Sequence, residues 1–138
     1  MAKHKLSLDD EFDFQLIGIC SSHSDYRLCW GINNALHINL TKGEDYSVMA
    51  KKDGEHLHSF YEYYDKEEHI EYYLIKNVSS NYQRLIPEKD QVDYFLVIKN
   101  NFVREINDIL IQLKEIESIL TAFIFDPGEL KSKSNLVF

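Results

Sequence analysis

The stretch from residue 92 to residue 125, VDYFLVIKNNFVREINDILIQLKEIESILTAFIF, decides the fold of this 138-residue chain. Residues 92–99 are apolar on both faces of an alternating pattern, which predicts a central strand. Residues 101–120 carry one apolar stripe at helical spacing, which predicts a helix. The stripe consists of Phe102, Ile106, Ile109, Leu110, Leu113, Ile116 and Leu120. Because residues 122–125 form a further short apolar run, the whole stretch predicts a β-α-β unit.

A strand and a helix are also predicted near the beginning of the chain. Residues 12–22 are apolar on both faces, which predicts a strand that is covered on both sides. Ser24 or Asp25 can then cap a helix, because a short side-chain oxygen accepts the free N–H groups of a first turn. The helix is predicted over residues 25–36, where the apolar positions recur at helical spacing.

Three strands are predicted between the two helices, over residues 46–50, 56–64 and 69–78. The Asp53-Gly54 pair predicts a tight turn between the first two strands. The last two are rich in Tyr and Phe and are joined by a polar turn at residues 65–68, so they predict an antiparallel hairpin. We expect Tyr64 opposite His69 and His58 opposite Ile75 in this hairpin.

The predicted order of elements is therefore β-α-β-β-β-β-α-β. We expect an α/β (α+β) two-layer sandwich, in which both helices cover one face of a mixed, mostly antiparallel sheet. A ferredoxin-like variant is the expected arrangement, although the pattern does not predict the strand order. The length fits a single globular domain over residues 1–138, since such domains run to roughly 100–200 residues.

Composition and charge restrict the class of partner. The formal net charge is −8, from 15 basic and 23 acidic residues, whereas a nucleic-acid binder needs a basic surface. No stretch approaches the roughly 20 apolar residues of a membrane span. The beginning of the chain lacks the pattern of a signal peptide, and the two cysteines form no CxxC pair. We therefore expect an acidic cytoplasmic protein that binds neither nucleic acid nor membrane.

Residues 86–94 read IPEKDQVDY and place Glu88 and Asp93 five positions apart. One interpretation is a carboxylate pair for acid–base or metal chemistry. The other is that both carboxylates accept hydrogen bonds from loop N–H groups, or from Arg27 and Arg84, and so order a long loop. The second is favoured, because no third catalytic group lies nearby in the sequence.

These nine residues resemble the signature of the bacterial IPExxxVDY family. Similar flanking stretches are Leu16-Ile17-Gly18-Ile19, Asp25-Tyr26-Arg27-Leu28, Leu130-Lys131-Ser132-Lys133 and Asn135-Leu136. We expect Pro87, Glu88, Asp93 and Tyr94 to be structural residues of this signature. The resemblance implies a cytoplasmic bacterial protein, and it implies no activity, cofactor or catalytic residue.

No catalytic residue, cofactor or metal site is predicted from the remaining patterns. Cys20 and Cys29 lie on predicted core faces, where cysteine behaves as a small apolar residue. His56 and His58 share a strand face, but His69 is expected too far along the hairpin for ligand bonds of about 2.1 Å. The histidines are therefore expected to be solvated or hydrogen-bonded.

An alternative function is that of a small anionic-ligand-binding protein, or of an enzyme, with its site at the first strand-to-helix turn. The free N–H groups of a helix N-terminus can hold an anion. The candidate residues are Ser22, Ser24, Asp25, Arg27 and Arg84. The turn is not Gly-rich, however, so helix capping is the simpler explanation of its serines.

The favoured function is a non-catalytic protein-interaction or self-associating module. Its candidate interface is an aromatic cluster in the predicted hairpin, made of Phe60, Tyr61, Tyr63, Tyr64, Tyr72 and Tyr73. Because two helices cover only one face of a sheet, we expect several of these rings on an uncovered face, where they would form a contact patch. A solvated cross-strand ladder is the other interpretation. We predict a homodimer or larger, which added salt strengthens because the net charge opposes association.

Overall fold

The computed structural model of the protein describes residues 12–50, 52 and 54–138. In chain order the elements are β1 (Phe14–Cys20), α1 (Asp25–Leu36), β2 (Thr41–Lys42), β3 (Tyr46–Ala50), β4 (Gly54–His58), β5 (Phe60–Asp65), β6 (Ile70–Lys76), β7 (Tyr94–Lys99), α2 (Ile106–Lys114) and β8 (Thr121–Phe125). Short 3-10 turns lie at Pro87–Lys89, Pro127–Glu129 and Lys133–Asn135. Neither helix in the described part of the chain has the length and apolar character of a membrane span.

Six strands form one sheet, in the order β2-β5-β6-β7-β1-β8, and every neighbouring pair is antiparallel. The strands β3 and β4 form a separate antiparallel pair with Ala50 opposite Gly54. Residue 53 of the predicted turn lies outside the described residues. The expected α+β class with a mostly antiparallel sheet is confirmed, while the ferredoxin-like arrangement stays a prediction.

Local capping signals place α1 where the sequence predicts it. The side chain of Ser24 accepts the backbone N–H of Arg27 at the first turn. His37 adopts a left-handed conformation, with φ of 57°, and ends the helix. The buried residues of α1 are Leu28, Cys29, Ile32 and Leu36.

The second helix is shorter than predicted. The side chain of Asn101 accepts the N–H groups of Val103 and Arg104, which holds a turn where the helix was expected to begin. At the other end, the Leu120 N–H donates to the Cys20 carbonyl and leads the chain into β8. Phe102 and Leu120, the two ends of the predicted stripe, are consequently exposed.

The strand predicted over residues 56–64 is in fact two strands in different sheets. It divides at Ser59, whose carbonyl accepts the N–H of Lys76, so that β4 pairs with β3 while β5 pairs with β6. His58 therefore faces Tyr46 across the small sheet. The expectation that His58 faces Ile75 was wrong.

The register between β5 and β6 also differs from the prediction. Tyr64 pairs with Glu71, whereas His69 was the expected partner. The reason is a turn shifted by one residue: Asp65 ends β5 and its carboxylate accepts two N–H groups of the turn, while His69 takes a positive φ of 60°. His69, which was expected in the strand, thus belongs to the turn, and Asp65, which was expected in the turn, belongs to β5.

Both helices pack on the same face of the sheet, as predicted. Ile32 of α1 and Leu113 of α2 are fully buried there against strand residues such as Ile17 and Leu96. Burial of this apolar surface is the main term that holds helices on a sheet.

The opposite face of the sheet is covered as well, which the prediction missed. Its buried residues come from the sheet, from the β3–β4 hairpin and from chain segments after β6 and β8; they are Phe14, Leu16, Val48, Ile75, Leu85, Ile86, Val92, Phe95, Val97, Leu130 and Leu136. The ring of Phe138 stacks on Tyr73 and Tyr46, with centroids 5.1 and 5.5 Å away. The expectation of an uncovered face was therefore wrong.

Candidate functional site

The signature loop is joined to the C-terminal segment. Pro87 begins a 3-10 turn, and the Glu88 carboxylate accepts both the backbone N–H and the hydroxyl of Ser132, at 2.7 and 2.8 Å. Close by, the Asn135 side chain donates to the Leu85 carbonyl at 2.8 Å. Two stretches that carry the family resemblance are thus in direct contact.

The other acidic residue of the signature contacts the turn after β1. Asp93 Oδ2 accepts the backbone N–H of Ser21 at 2.8 Å, and the Tyr94 hydroxyl donates to the His23 carbonyl at 3.2 Å. Burial, with the charges of Asp25 and Asp93, raises the pKa of Tyr94 to about 12. The expected hydrogen bonds to loop groups are therefore present, and neither arginine is among the partners of these carboxylates in the described residues.

Asn77 organises this loop, although it was not among the predicted site residues. The fully buried side chain donates to the carbonyls of Lys89 and Val92, at 3.1 and 2.8 Å, and accepts the Ile86 N–H at 3.0 Å. An asparagine at the end of an apolar strand was the only sequence signal. The Asn77 side chain thus orders the loop, because it forms the hydrogen bonds that these backbone groups would otherwise form within a sheet.

Two residues of the predicted interface lie in the helix-side core. Tyr72 is fully buried and accepts a hydrogen bond from Arg104, while Tyr61 is buried and donates to Asp25 at 3.1 Å. Tyr63 stacks on Tyr72 and is half-buried. Strand alternation directs these three rings toward the helices, so the proposal that Tyr61 and Tyr72 form a contact patch was wrong.

The remaining predicted interface residues lie apart from one another. Phe60 and Tyr73 stack at 5.5 Å on the opposite face, where they are half-buried beneath Tyr46 and Phe138. Tyr64 is exposed, and its hydroxyl pairs with His69 Nδ1 at 2.8 Å. The cluster therefore forms no continuous exposed surface, because covering segments occupy its outer side.

The candidate anion residues are not assembled into one site. Ser24 is used as the helix cap, and Asp25 places a carboxylate at the same turn. Arg27 lines a small cavity of about 150 Å³ beside Trp30, whereas Arg84 lies in a separate loop opposite Val78. Ser22 is exposed, and no hydrogen bond in the described part of the chain joins it to either arginine.

His56 and His58 belong to β4, and both side chains are buried rather than solvated. His58 Nδ1 pairs with the Lys76 carbonyl at 2.8 Å, but the Nε2 atoms of both rings have no hydrogen-bond partner. No cluster of three or more His, Cys, Asp or Glu side chains suited to a metal ion occurs in the described part of the chain. The expectation of solvated or hydrogen-bonded histidines therefore holds for His69 and for Nδ1 of His58, but not for these two Nε2 atoms.

Neither cysteine has the environment of a nucleophile. Burial, and then the charge of Asp25, raises the pKa of the Cys29 thiol to about 12. Burial and the neighbouring Asp93 also raise the pKa of Cys20. A reactive thiol needs the opposite shift, toward the thiolate.

The outer edge of β8 is the longer open edge of the six-stranded sheet, whose other edge strand is the two-residue β2. Within the described residues β8 pairs only with β1, in a continuous register without a bulge. The strand contains no charged residue and no proline. Leu120 is 74% exposed, Phe123 48% and Ile124 41%. Edge strands are normally protected by charges, prolines or bulges, and β8 has none of these.

A cavity of about 440 Å³ lies beside this edge. Its walls are Cys20, the residues from Glu88 to Val92, and Phe123, Ile124 and Phe125. The ammonium group of Lys89 lies 5.1 Å from the centre of the Phe125 ring. A strand added next to β8 would thus place alternate side chains at the mouth of a partly apolar cavity.

The chain matches no model of a known protein family, and no curated protein resembles it at a significant level.

Proposed function

We propose that the protein is a non-catalytic interaction module that associates with another chain by pairing a strand with the outer edge of β8. The observation that carries this proposal is an uncharged, unprotected edge strand with two exposed apolar side chains, Phe123 and Ile124, and a third, Leu120, directly before it. Main-chain hydrogen bonds to such an edge supply affinity, and neighbouring side-chain pockets supply specificity.

The arrangement of the other polar groups supports a role without catalysis. The two signature carboxylates already accept hydrogen bonds within the fold, Glu88 from Ser132 and Asp93 from Ser21. The thiol of Cys29 is held in its neutral form by burial. A catalytic site needs a nucleophile or a titrating group that faces a cavity together with its partners.

We also propose that the chain belongs to the IPExxxVDY family and acts in the bacterial cytoplasm. The support is the IPEKDQVDY stretch and its contact with Ser132 and Asn135, which lie in the second stretch that carries the resemblance.

Affinity capture with an edge variant tests the proposed function. The tagged wild-type chain is compared with Ile124→Lys, which puts a charge on β8, and with Ile111→Lys, a matched change on the outer face of α2. We expect one or more chains, which can include untagged copies of this protein, to be captured by wild type and Ile111→Lys and lost from Ile124→Lys. Equal capture by all three proteins contradicts the proposal.

A further inference from the structure

We infer that the strand which pairs with β8 is β8 of a second copy of this chain, antiparallel and centred on Phe123. This inference rests on the proposed function and names the partner of the same edge. The pair would join two six-stranded sheets into one and remove the open edge from both copies, since a twofold contact closes on itself.

The side chains of β8 are complementary to themselves in this register. Centring the pair on Phe123 places Ala122 opposite Ile124 of the second copy, and Thr121 opposite Phe125 of the second copy. Ala122 belongs to the helix-side core, and Phe125 packs on the opposite face. At both flanking positions a small residue thus lies across from a large one, and at the centre the two Phe123 rings meet as an aromatic cross-strand pair.

The cavity beside the edge gives the second copy's rings a place to pack. Phe123 lines the cavity together with Cys20 and is 48% exposed, whereas Phe125 packs inward on its own Gly18 and Phe95. The Phe123 ring of the second copy, lying directly across, would therefore contact the mouth of this cavity. By symmetry each copy would present Phe123 to the cavity of the other.

Charge and area set the strength of this contact. The five residues of β8 carry no charge, although the chain as a whole has a net charge of −8. The two copies therefore repel each other at long range, and added salt should strengthen their association. One short strand and a few exposed side chains provide less than the roughly 800 Å² per partner of a standard interface, so a weak dimer is expected.

Sedimentation of the wild-type chain and two variants tests the inference. From micromolar to several hundred micromolar, wild type and Ile111→Lys should shift from monomer to dimer, more strongly at high salt. Ile124→Lys should weaken the dimer at least about tenfold, because it buries a charge at the seam. A wild-type monomer at every concentration and salt overturns the inference, as does equal dimerisation of Ile124→Lys.

Cysteine cross-linking tests the register and does not depend on the folding of Ile124→Lys. In an antiparallel pair centred on residue 123, the two Cα atoms at that position lie about 4.5–5.5 Å apart, within disulfide range. Mild oxidation should link Phe123→Cys into dimers at least about tenfold faster than Phe102→Cys, whose site is 90% exposed but remote from β8. Equal rates overturn the register and the inference. A third outcome separates the two proposals. If wild type is monomeric in sedimentation, but captures a different protein that Ile124→Lys does not capture, the proposed function holds and the second copy is not the partner.

Discussion

Ser132 binds both oxygens of the Glu88 carboxylate, through its backbone N–H at 2.7 Å and its hydroxyl at 2.8 Å. Glu88 belongs to the signature loop, and Ser132 to the C-terminal segment whose Leu130 and Leu136 are buried on the sheet face opposite the helices. The pair thus fastens the segment that covers this face. Because both faces of the sheet are packed against other segments, contact with another chain is left to the sheet edges, of which β8 is the longer.

Replacing Glu88 with Gln should destabilise the protein in a pH-dependent manner. Partial burial would raise the pKa of Glu88, but the hydrogen bonds from Ser132 outweigh it and hold the pKa below its usual value. The charge therefore stabilises the fold above about pH 4.3, and this contribution is lost as the pH falls. At neutral pH we expect Glu88→Gln to cost about 0.5–1 kcal/mol, since the pair is solvent-exposed.

Urea unfolding of wild type and Glu88→Gln at pH 7 and pH 3 checks this prediction. The difference in free energy of unfolding should be present at pH 7 and should shrink at pH 3. Glu67→Gln, an exposed change in the β5–β6 turn, is the matched control. A difference of the same size at both pH values would show that the carboxylate charge has no such role.

Asn77→Ala should destabilise the protein more than any change at the signature carboxylates. It leaves the carbonyls of Lys89 and Val92 and the N–H of Ile86 without their partner. Because buried unsatisfied groups are costly, we expect a loss of about 2–4 kcal/mol in the free energy of unfolding. Denaturant titration measures it, with the exposed helix residue Asn34→Ala as control. A loss no larger than that of the control would rule out the role of Asn77 in the loop.

Acid should weaken the fold through His58. Burial lowers the pKa of His58, and the neighbouring His56 acts in the same direction, against the opposing effects of the Lys76 carbonyl and Asp45. The unfolded chain then takes up this proton more readily than the folded one. Stability should therefore be highest above about pH 6.5 and should fall as the pH drops below that value.

The free energy of unfolding at pH 7.5 and pH 5.5 tests the role of His58. The free energy of unfolding should fall less between pH 7.5 and pH 5.5 in His58→Gln than in wild type. In His69→Gln, a change in the exposed turn, it should fall by as much as in wild type. If the free energy of unfolding falls equally in wild type and His58→Gln, the acid sensitivity comes from another group.

Gly18→Ala should disturb the strand that we propose as the contact surface. A Cβ atom at Gly18 would collide with the ring of Phe125 and lie 3.1 Å from Val92. Such overpacking typically costs about 1–3 kcal/mol. Thermal melting should show the loss for Gly18→Ala and little change for Gly128→Ala, where the nearest atom is 3.4 Å away. Equal melting temperatures for Gly18→Ala and wild type would show that the ring can move aside freely.

The parts of the fold that were predicted correctly are those that depend only on residues close together in the sequence. The helix α1 needs only the Ser24 cap and its own apolar stripe, so both of its ends were predicted correctly. The start of α2 depends on Asn101, whose side chain forms a competing turn. The β5–β6 register depends on Asp65, whose carboxylate holds a turn that begins one residue later than the polarity of the sequence indicates.

The site was harder to predict, because it depends on contacts between distant segments. Nothing near Phe60 or Tyr73 indicates that Phe138 and Tyr46 cover them. The aromatic composition of the hairpin was therefore mistaken for an exposed patch. The open edge of β8 follows from the strand order, which hydrophobic periodicity does not determine.

Hydrogen–deuterium exchange at increasing protein concentration tests most directly whether β8 is the surface of association. Peptides that cover Thr121–Phe125 should gain protection as the concentration rises from micromolar to several hundred micromolar, while peptides from α1 stay unchanged. The gain should be larger at high salt and absent in Ile124→Lys. Exchange in β8 that is independent of concentration, or protection that appears elsewhere while β8 stays unchanged, would contradict the account.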